Sequence, residues 1–238
     1  MTKKVKKRRL NIKRTLVLIL FLYIIWYMIN YLITSPIKHI EITGNKLVKD
    51  SEIIVEAKLK NYPSIMKYSS KTIENNIKNI DLIEKVEVHK KLGNIITIEI
   101  KEKRVLFYYI NNEKIVLNNG NIIDNNIKNI YGIPTLINTT DKDILKKFIN
   151  DFNKLNDEII YEINEIEYSP KYSSENEIIN KERFKIIMND GNDVIVNVNT
   201  VNRLNKYNNI YSSLNGVKGT IDLDTSETTS LVFTPFEE

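Results

Sequence analysis

The chain has 238 residues, of which 42% are hydrophobic and 27% charged, a composition that supports folded domains and argues against wholesale disorder. It contains no cysteine, which excludes disulfides, thiolate nucleophiles and thiolate metal sites. The net charge of +5 arises at the amino terminus, because residues 1–14 hold eight cations and no acid, which leaves 27 basic and 30 acidic side chains in residues 15–238. A basic nucleic-acid-binding surface outside the tail is therefore not expected, since phosphate binding requires clustered cations.

The first predicted element is a membrane-spanning helix. Residues 15–33 read TLVLILFLYIIWYMINYLI, carry no charge and would rise about 28 Å as a helix, which matches a hydrocarbon core of roughly 30 Å. Ser35-Pro36 is expected to end the helix, which gives a transmembrane segment at 15–35. Its interfacial aromatic side chains become denser toward the outer end and are predicted membrane-anchor residues: Tyr23, Trp26, Tyr27 and Tyr31.

The flanking charges predict the orientation of this helix. Eight cations precede the apolar run and a segment of mixed charge follows it, so residues 1–14 are expected in the cytoplasm and the remainder outside, a single-pass type II topology in the cell membrane. A cleaved signal peptide is the alternative, but its apolar region would span about 7–15 residues before an A-x-A-like site. This run is longer and has no alanine near it, so we expect an uncleaved anchor whose basic tail contacts membrane lipids.

The segment after the anchor predicts a small domain with the order strand, helix, helix, strand, strand. The predicted elements are a strand at 37–43 with a turn at Gly44-Asn45, helices at 49–60 and around 73–80, and alternating strands at 84–90 and 95–101 joined by a short turn. Because such alternation indicates a sheet with one buried face, we expect the two helices to cover that face.

A longer, mostly β region is predicted from Val105 onward. Its predicted elements are strands at 106–110 and 114–117, a tight turn at Asn119-Gly120, a helix that Thr140 and Asp143 open with a capping box and that runs to Leu155, a strand at 163–168, a hairpin of 183–188 with 194–198, a helix at 200–214, and strands at 219–224 and 230–233.

These elements resemble a known family. Residues 37–48 (IKHIEITGNKLV) and 82–109 (LIEKVEVHKKLGNIITIEIKEKRVLFYY) are similar to the POTRA domain of the FtsQ/DivIB family of bacterial cell-division proteins, and the later elements resemble its β domain. One departure is Leu92-Gly93, which stands at a turn where the family commonly has proline. The resemblance implies an α+β fold with a single transmembrane helix, a POTRA domain at 36–104 and a mostly antiparallel β domain with two helices at 105–238.

No catalytic, cofactor-binding or metal-binding residue is predicted. The two histidines, His39 and His89, lie 50 residues apart in predicted strands and are expected to face solvent. No phosphate-binding glycine motif or nucleophile motif occurs in the sequence. An alternative is a membrane-anchored cell-wall hydrolase that uses a carboxylate pair, for which Glu165/Glu167 and Asp222/Asp224 have strand spacing. Strands commonly place acids on their wet face, so we expect these pairs to be structural.

The candidate binding site is the final strand, because a terminal strand can leave an edge on which a partner adds a strand. The resemblance implies that this edge holds a membrane-anchored partner through Leu231, Val232 and Phe233, with Thr229 as a polar neighbour. The alternative is that these residues complete the core. By the same resemblance, the chain would be a non-enzymatic scaffold of the divisome that binds and stabilises FtsL and DivIC (FtsB-like) partners at the septum, with no cofactor, small-molecule substrate or nucleic acid.

Overall fold

The computed structural model describes residues 11–109, 113–127, 130, 132–138, 141–224 and 232–237. The chain divides after Glu102 into two compact units, each with its own sheet. Thr229, Leu231 and Thr140, which the sequence analysis singled out, lie outside the described residues.

The first unit begins with one long helix, α1 (Ile12–Thr34), none of whose residues is buried. The helix ends where the sequence predicts, and the backbone N–H of Ser35 donates to the carbonyl of Tyr31 at 2.9 Å. It begins three residues before the uncharged run, because lysine and arginine are good helix formers and hydropathy marks only the apolar part of a helix. By length and composition, α1 is the one helix among the described residues that could cross a membrane.

The rest of this unit has the predicted strand–helix–helix–strand–strand order. Its elements are β1 (His39–Thr43), α2 (Asp50–Glu56), α3 (Ser70–Ile77), β2 (Ile83–Lys91) and β3 (Ile95–Glu102). The sheet order is β1-β3-β2, with β1 parallel and β2 antiparallel to the central β3. Helix α2 is shorter than the predicted 49–60, since Lys58 and Asn61 take the left-handed backbone conformation that interrupts a helix.

The helices of this unit bury one apolar stripe against the sheet. Ile53 of α2 and Ile73 and Ile77 of α3 are almost fully buried. The strand residues that alternate with charges in the sequence are buried beneath these helices: Val86, Val88, Ile96, Ile98 and Ile100. The period-two pattern therefore reported the buried face of the sheet correctly.

The second unit is built on a nine-stranded sheet. Its strands are β4 (Val105–Tyr109), β5 (Lys114–Leu117), β6 (Ile122–Asp124), β7 (Thr135–Leu136), β8 (Ile163–Tyr168), β11 (Arg183–Met188), β12 (Asp193–Asn197), β13 (Gly219–Asp222) and β14 (Val232–Pro235), while β9 (Lys171–Tyr172) and β10 (Ile178–Asn180) form a separate hairpin. The sheet order is β14-β13-β12-β11-β8-β7-β4-β5-β6. Five of its eight pairings are antiparallel, so the predicted α+β class and the mostly antiparallel sheet are confirmed.

Helices cover this sheet and meet it in an aromatic core. The helices are α4 (Lys142–Phe152), α5 (Asp157–Glu162) and a 3-10 turn at Val201–Lys206 that continues into α6 (Tyr207–Ser213). The rings of Phe148 on α4 and Phe184 on β11 stack with centroids 4.1 Å apart, and Phe107 meets Phe152 edge-on at 5.4 Å. These contacts bind α4 to the middle of the sheet.

Two details of the second unit differ from the sequence analysis. The side chain of Asp141 accepts from the backbone N–H of Asp143 at 2.8 Å, so the N-cap of α4 is Asp141. Helix α5 was not predicted, since six residues are too few to show a helical period.

Candidate functional site

Strand β14 forms one end of the nine-stranded sheet. It pairs with β13 in antiparallel register, Ile221 opposite Phe233 and Thr220 opposite Thr234. Among the residues that the structure describes, no strand pairs with its other side. We call this side, which faces away from β13, the open edge.

The register determines which backbone groups point to the open edge. The backbone N–H of Phe236 donates inward to the carbonyl of Lys218 at 3.1 Å. Antiparallel pairing alternates, so Thr234 and Val232 also turn their backbone groups toward β13. Phe233 therefore presents both its N–H and its carbonyl at the open edge, and Pro235 presents a carbonyl without a donor.

The side chains of β14, and of Phe236 directly after it, differ between the two faces of the sheet. Val232 is 51% exposed and Phe236 is 45% exposed, whereas the ring of Phe233 is partly buried against the core. The sequence analysis left open whether this strand completes the core or offers a binding edge. The side chain of Phe233 packs inward against the core, while its backbone N–H and carbonyl face away from β13 in the plane of the sheet.

Gly219, which the sequence analysis did not single out, allows the close approach of β13 and β14. A Cβ atom at this position would lie 2.3 Å from the carbonyl oxygen of Thr234 and 2.8 Å from a ring carbon of Phe233. Any side chain at 219 would push the two strands apart. In the sequence, the feature that could have indicated this close approach is the glycine at the start of the strand that contains Ile-Asp-Leu.

A buried polar network holds the start of β13 in place. Asn192 is fully buried and accepts from the backbone N–H of Gly219 at 2.9 Å. Its amide nitrogen donates to the hydroxyl of Tyr207 at 3.1 Å, and that hydroxyl donates to Asp190 at 2.6 Å. Burial, reinforced by Asp190, raises the pKa of Tyr207 well above its usual range, so the phenol stays protonated. The network joins the β11–β12 turn, α6 and β13.

Neither histidine is buried, and three of the four acids in the strand-spaced pairs have hydrogen-bond or ion-pair partners. His39 and His89 are both exposed. Glu167 pairs with Lys185 at 3.2 Å. Asp224 accepts from the side chains of Asn180, at 2.8 Å, and Asn197.

The companion acid of Asp224 is also engaged. Asp222 accepts from the backbone N–H of Asp224 at 2.8 Å, a local turn contact. Within the described ranges, no three His, Asp or Glu side chains are grouped so as to hold a metal ion. The contacts of Asp222 and Asp224 hold the end of β13 in place.

The predicted anchor residues all lie on α1, within its C-terminal two-thirds. Tyr23, Trp26, Tyr27 and Tyr31 are each exposed, and the rings of Tyr23 and Trp26 lie 6.0 Å apart. None of the residues of α1 is buried by the rest of the chain.

The fold and the site together define an α+β protein with an apolar N-terminal helix and a terminal strand whose outer side, within the described ranges, pairs with no other strand. Comparison with known proteins supplies the family. Residues 35–103 match the model of the POTRA domain, FtsQ-type, and residues 108–224 match that of the cell division protein FtsQ/DivIB, C-terminal. The chain belongs to the FtsQ/DivIB family of bacterial cell-division proteins.

Two DivIB proteins match this chain over most of their own length. The cell division protein DivIB of Bacillus subtilis is 29% identical over 243 residues, covering 99% of this chain and 87% of that protein. DivIB of Listeria monocytogenes is 28% identical over 228 residues, covering 92% and 82%. The solved extracytoplasmic domain of the trans isomer of Geobacillus stearothermophilus DivIB is 21% identical, with a TM-score of 0.38, covering 48% of this chain and 96% of that one.

The family and the helix together indicate a membrane-anchored protein of the division septum. The matched descriptions name a role in cell division and no enzymatic activity.

Proposed function

We propose that this chain is a non-enzymatic scaffold of the divisome that binds and stabilises membrane-anchored partners, of the FtsL and DivIC (FtsB-like) kind, through the open edge of β14. The observation that supports this most directly is the outward direction of the N–H and carbonyl of Phe233. A strand edge with unpaired backbone groups is a template for strand addition.

The edge is short, and this bears on its affinity. Phe233 and Pro235 offer three backbone groups to a partner strand, each hydrogen bond contributing about 0.5–1.5 kcal/mol. Such contacts are weak individually. Val232 and Phe236 add exposed apolar surface beside them. Pro235 lacks a donor, which limits the pairing to a few residues and disfavours open-ended association of sheets.

Anchoring compensates for this weak contact. With residues 1–14 in the cytoplasm and modules 36–104 and 105–238 outside, α1 confines the open edge to the membrane that also holds its partners. Confinement raises the effective concentration of each partner at the edge, so short strand pairing suffices. The basic tail supports this orientation through the positive-inside rule.

The proposal is tested by photocrosslinking in intact membranes. A photoreactive residue replaces Val232, and a matched variant carries it at Ile122, an exposed residue of β6 at the opposite end of the same sheet. We expect adducts with FtsL-like or DivIC-like proteins from position 232 and not from position 122. Equal yields at the two positions, or no partner adduct at 232, would overturn the proposal.

A further inference from the structure

Two loops of the first unit are tied to the end of α1. Loop A is residues 61–68, and its backbone N–H of Ile65 donates to the carbonyl of Ser35 at 3.1 Å. The hydroxyl of Ser64 donates to the carbonyl of Ile33, within the last turn of the helix. These contacts place loop A beside the C-terminal end of the apolar helix.

Loop B, the β2–β3 turn at residues 91–94, lies at the same level. The side-chain amide of Asn94 donates to the carbonyl of Pro36 at 3.0 Å, and the backbone carbonyl of Asn94 accepts from the backbone N–H of Lys38 at 2.8 Å. The ammonium group of Lys90 donates to the carbonyls of Ile65 and Tyr68, each at 2.5 Å. Lys90 therefore joins the strand that leads into loop B to loop A.

Both loops expose apolar side chains that the rest of the unit does not cover. Leu92 in loop B is 98% exposed, and Met66 in loop A is 61% exposed. Tyr62 of loop A is half exposed. The side chain of Leu92 packs against nothing in this unit. Its apolar surface is therefore free to contact a lipid bilayer.

The charged side chains within the two loops are all positive, and that of Lys91 in loop B lies 3.7 Å from the carboxylate of Glu41. Neither loop contains an acidic residue. Lys67 is exposed beside Met66, with its ammonium group 5.4 Å from the ring centroid of Tyr68, and Lys60 is exposed at the start of loop A. Apolar side chains flanked by lysines match the boundary between acyl chains and anionic headgroups.

We propose that loops A and B dock the first unit onto the surface of the lipid bilayer that α1 spans, with Leu92, Met66 and Tyr62 entering the interfacial layer. The inference rests on α1 being the membrane anchor. We identify the bilayer as the surface that the loops contact because both loops are hydrogen-bonded to the end of α1, at Ile33 and Pro36. This is where the chain leaves the hydrocarbon core. Lysine at 60 and 67 favours anionic lipids over neutral ones.

Docking in this way has a consequence for the scaffold. A unit held by α1 alone could pivot about residues 35–36, whereas two further contacts with the bilayer fix its tilt. The direction in which the chain enters the second unit is then defined relative to the membrane.

The test uses the full chain in vesicles, and the absence of cysteine allows single labels to be placed freely. Met66→Cys and Leu92→Cys carry an environment-sensitive fluorophore. The control is Lys46→Cys, an exposed position that follows β1 at the end of the sheet away from Pro36. The vesicles contain phosphatidylcholine with phosphatidylglycerol, and a lipid with a nitroxide on its headgroup serves as quencher. Trp26, the single tryptophan, reports insertion of α1 through quenching by lipids with brominated acyl chains.

We expect quenching at positions 66 and 92 to be at least about twofold stronger than at 46, and to weaken in vesicles of phosphatidylcholine alone. A Lys60→Glu/Lys67→Glu variant should lower the quenching at 66 while leaving that of Trp26 unchanged. If Trp26 is quenched but positions 46, 66 and 92 respond equally, docking is wrong and the anchor stands. If Trp26 is not quenched, the anchor and the docking both fail. Quenching at 66 and 92 that requires an added division protein would assign the loops to a protein partner and would also overturn docking.

Discussion

Gly219 and Thr234 lie so close across the β13–β14 pair that a Cβ atom on the glycine would sit 2.3 Å from the threonine carbonyl oxygen. Glycine is needed at position 219 because a side chain would not fit between the strands. Its backbone conformation does not require glycine, since it is not in the left-handed region. The position of the open edge therefore depends on the absence of one side chain on the neighbouring strand.

Gly219→Ala should displace β14 and weaken partner capture. We expect a loss of stability of about 1–3 kcal/mol, as for other overpacked sites, together with a clear decrease in crosslinking from position 232. Thr220→Ala is the matched control, because it lies on the same strand and removes atoms without adding any near β14. Undiminished crosslinking in a folded Gly219→Ala variant would contradict the role assigned to this contact.

Asn192→Ala should destabilise the second unit without touching the open edge directly. The change leaves the buried backbone N–H of Gly219 without its acceptor, which costs about 1–3 kcal/mol. Urea unfolding measures the difference. Asn209→Ala, at an exposed position of α6, should stay within about 0.5 kcal/mol of the parent chain. Equal stability of the two variants would show that the network does not hold β13.

Tyr207 predicts a dependence of stability on alkaline pH. Its pKa is raised in the folded state above the ordinary value of about 10, so the stability that the protonated phenol contributes is complete below pH 10 and is lost as the pH rises toward the folded pKa. Above pH 10, the parent chain should lose up to about 1.4 kcal/mol per pH unit more than Tyr207→Phe does.

Thermal unfolding of both chains between pH 8 and 11 makes this comparison. The other twelve tyrosines are present in both chains, so their contribution cancels in the difference. Parallel pH profiles would mean that Tyr207 has the same pKa in the folded and unfolded states.

The elements that were predicted well are those whose own sequence carries a period. Strand β8 and strand β11 have the bounds that alternation predicts, because each buries one face and wets the other. Strand β7 was not predicted, since it has two residues and is held by parallel partners on both sides. Pairing between distant segments leaves no local pattern.

For the candidate site too, features of the local sequence could be predicted, whereas features that depend on distant residues could not. A β-branched and aromatic strand near position 232 was enough to predict a strand that could form an edge. The outward direction of the Phe233 backbone depends on register with β13, and the placement of β13 depends on Asn192, 27 positions before Gly219. Neither relationship could be read from the residues of β14 themselves.

Amide exchange of Phe233 in the full chain, with and without its partners, is the most direct test of the open edge. Labelling with 15N-phenylalanine gives seven amides, among which Phe236 serves as an internal reference because its N–H is bonded to Lys218. In the free chain we predict faster exchange at Phe233 than at Phe236, and in the complex with the FtsL-like and DivIC-like proteins we predict that Phe233 becomes protected. A stable complex in which Phe233 exchanges as fast as before would contradict strand addition at β14.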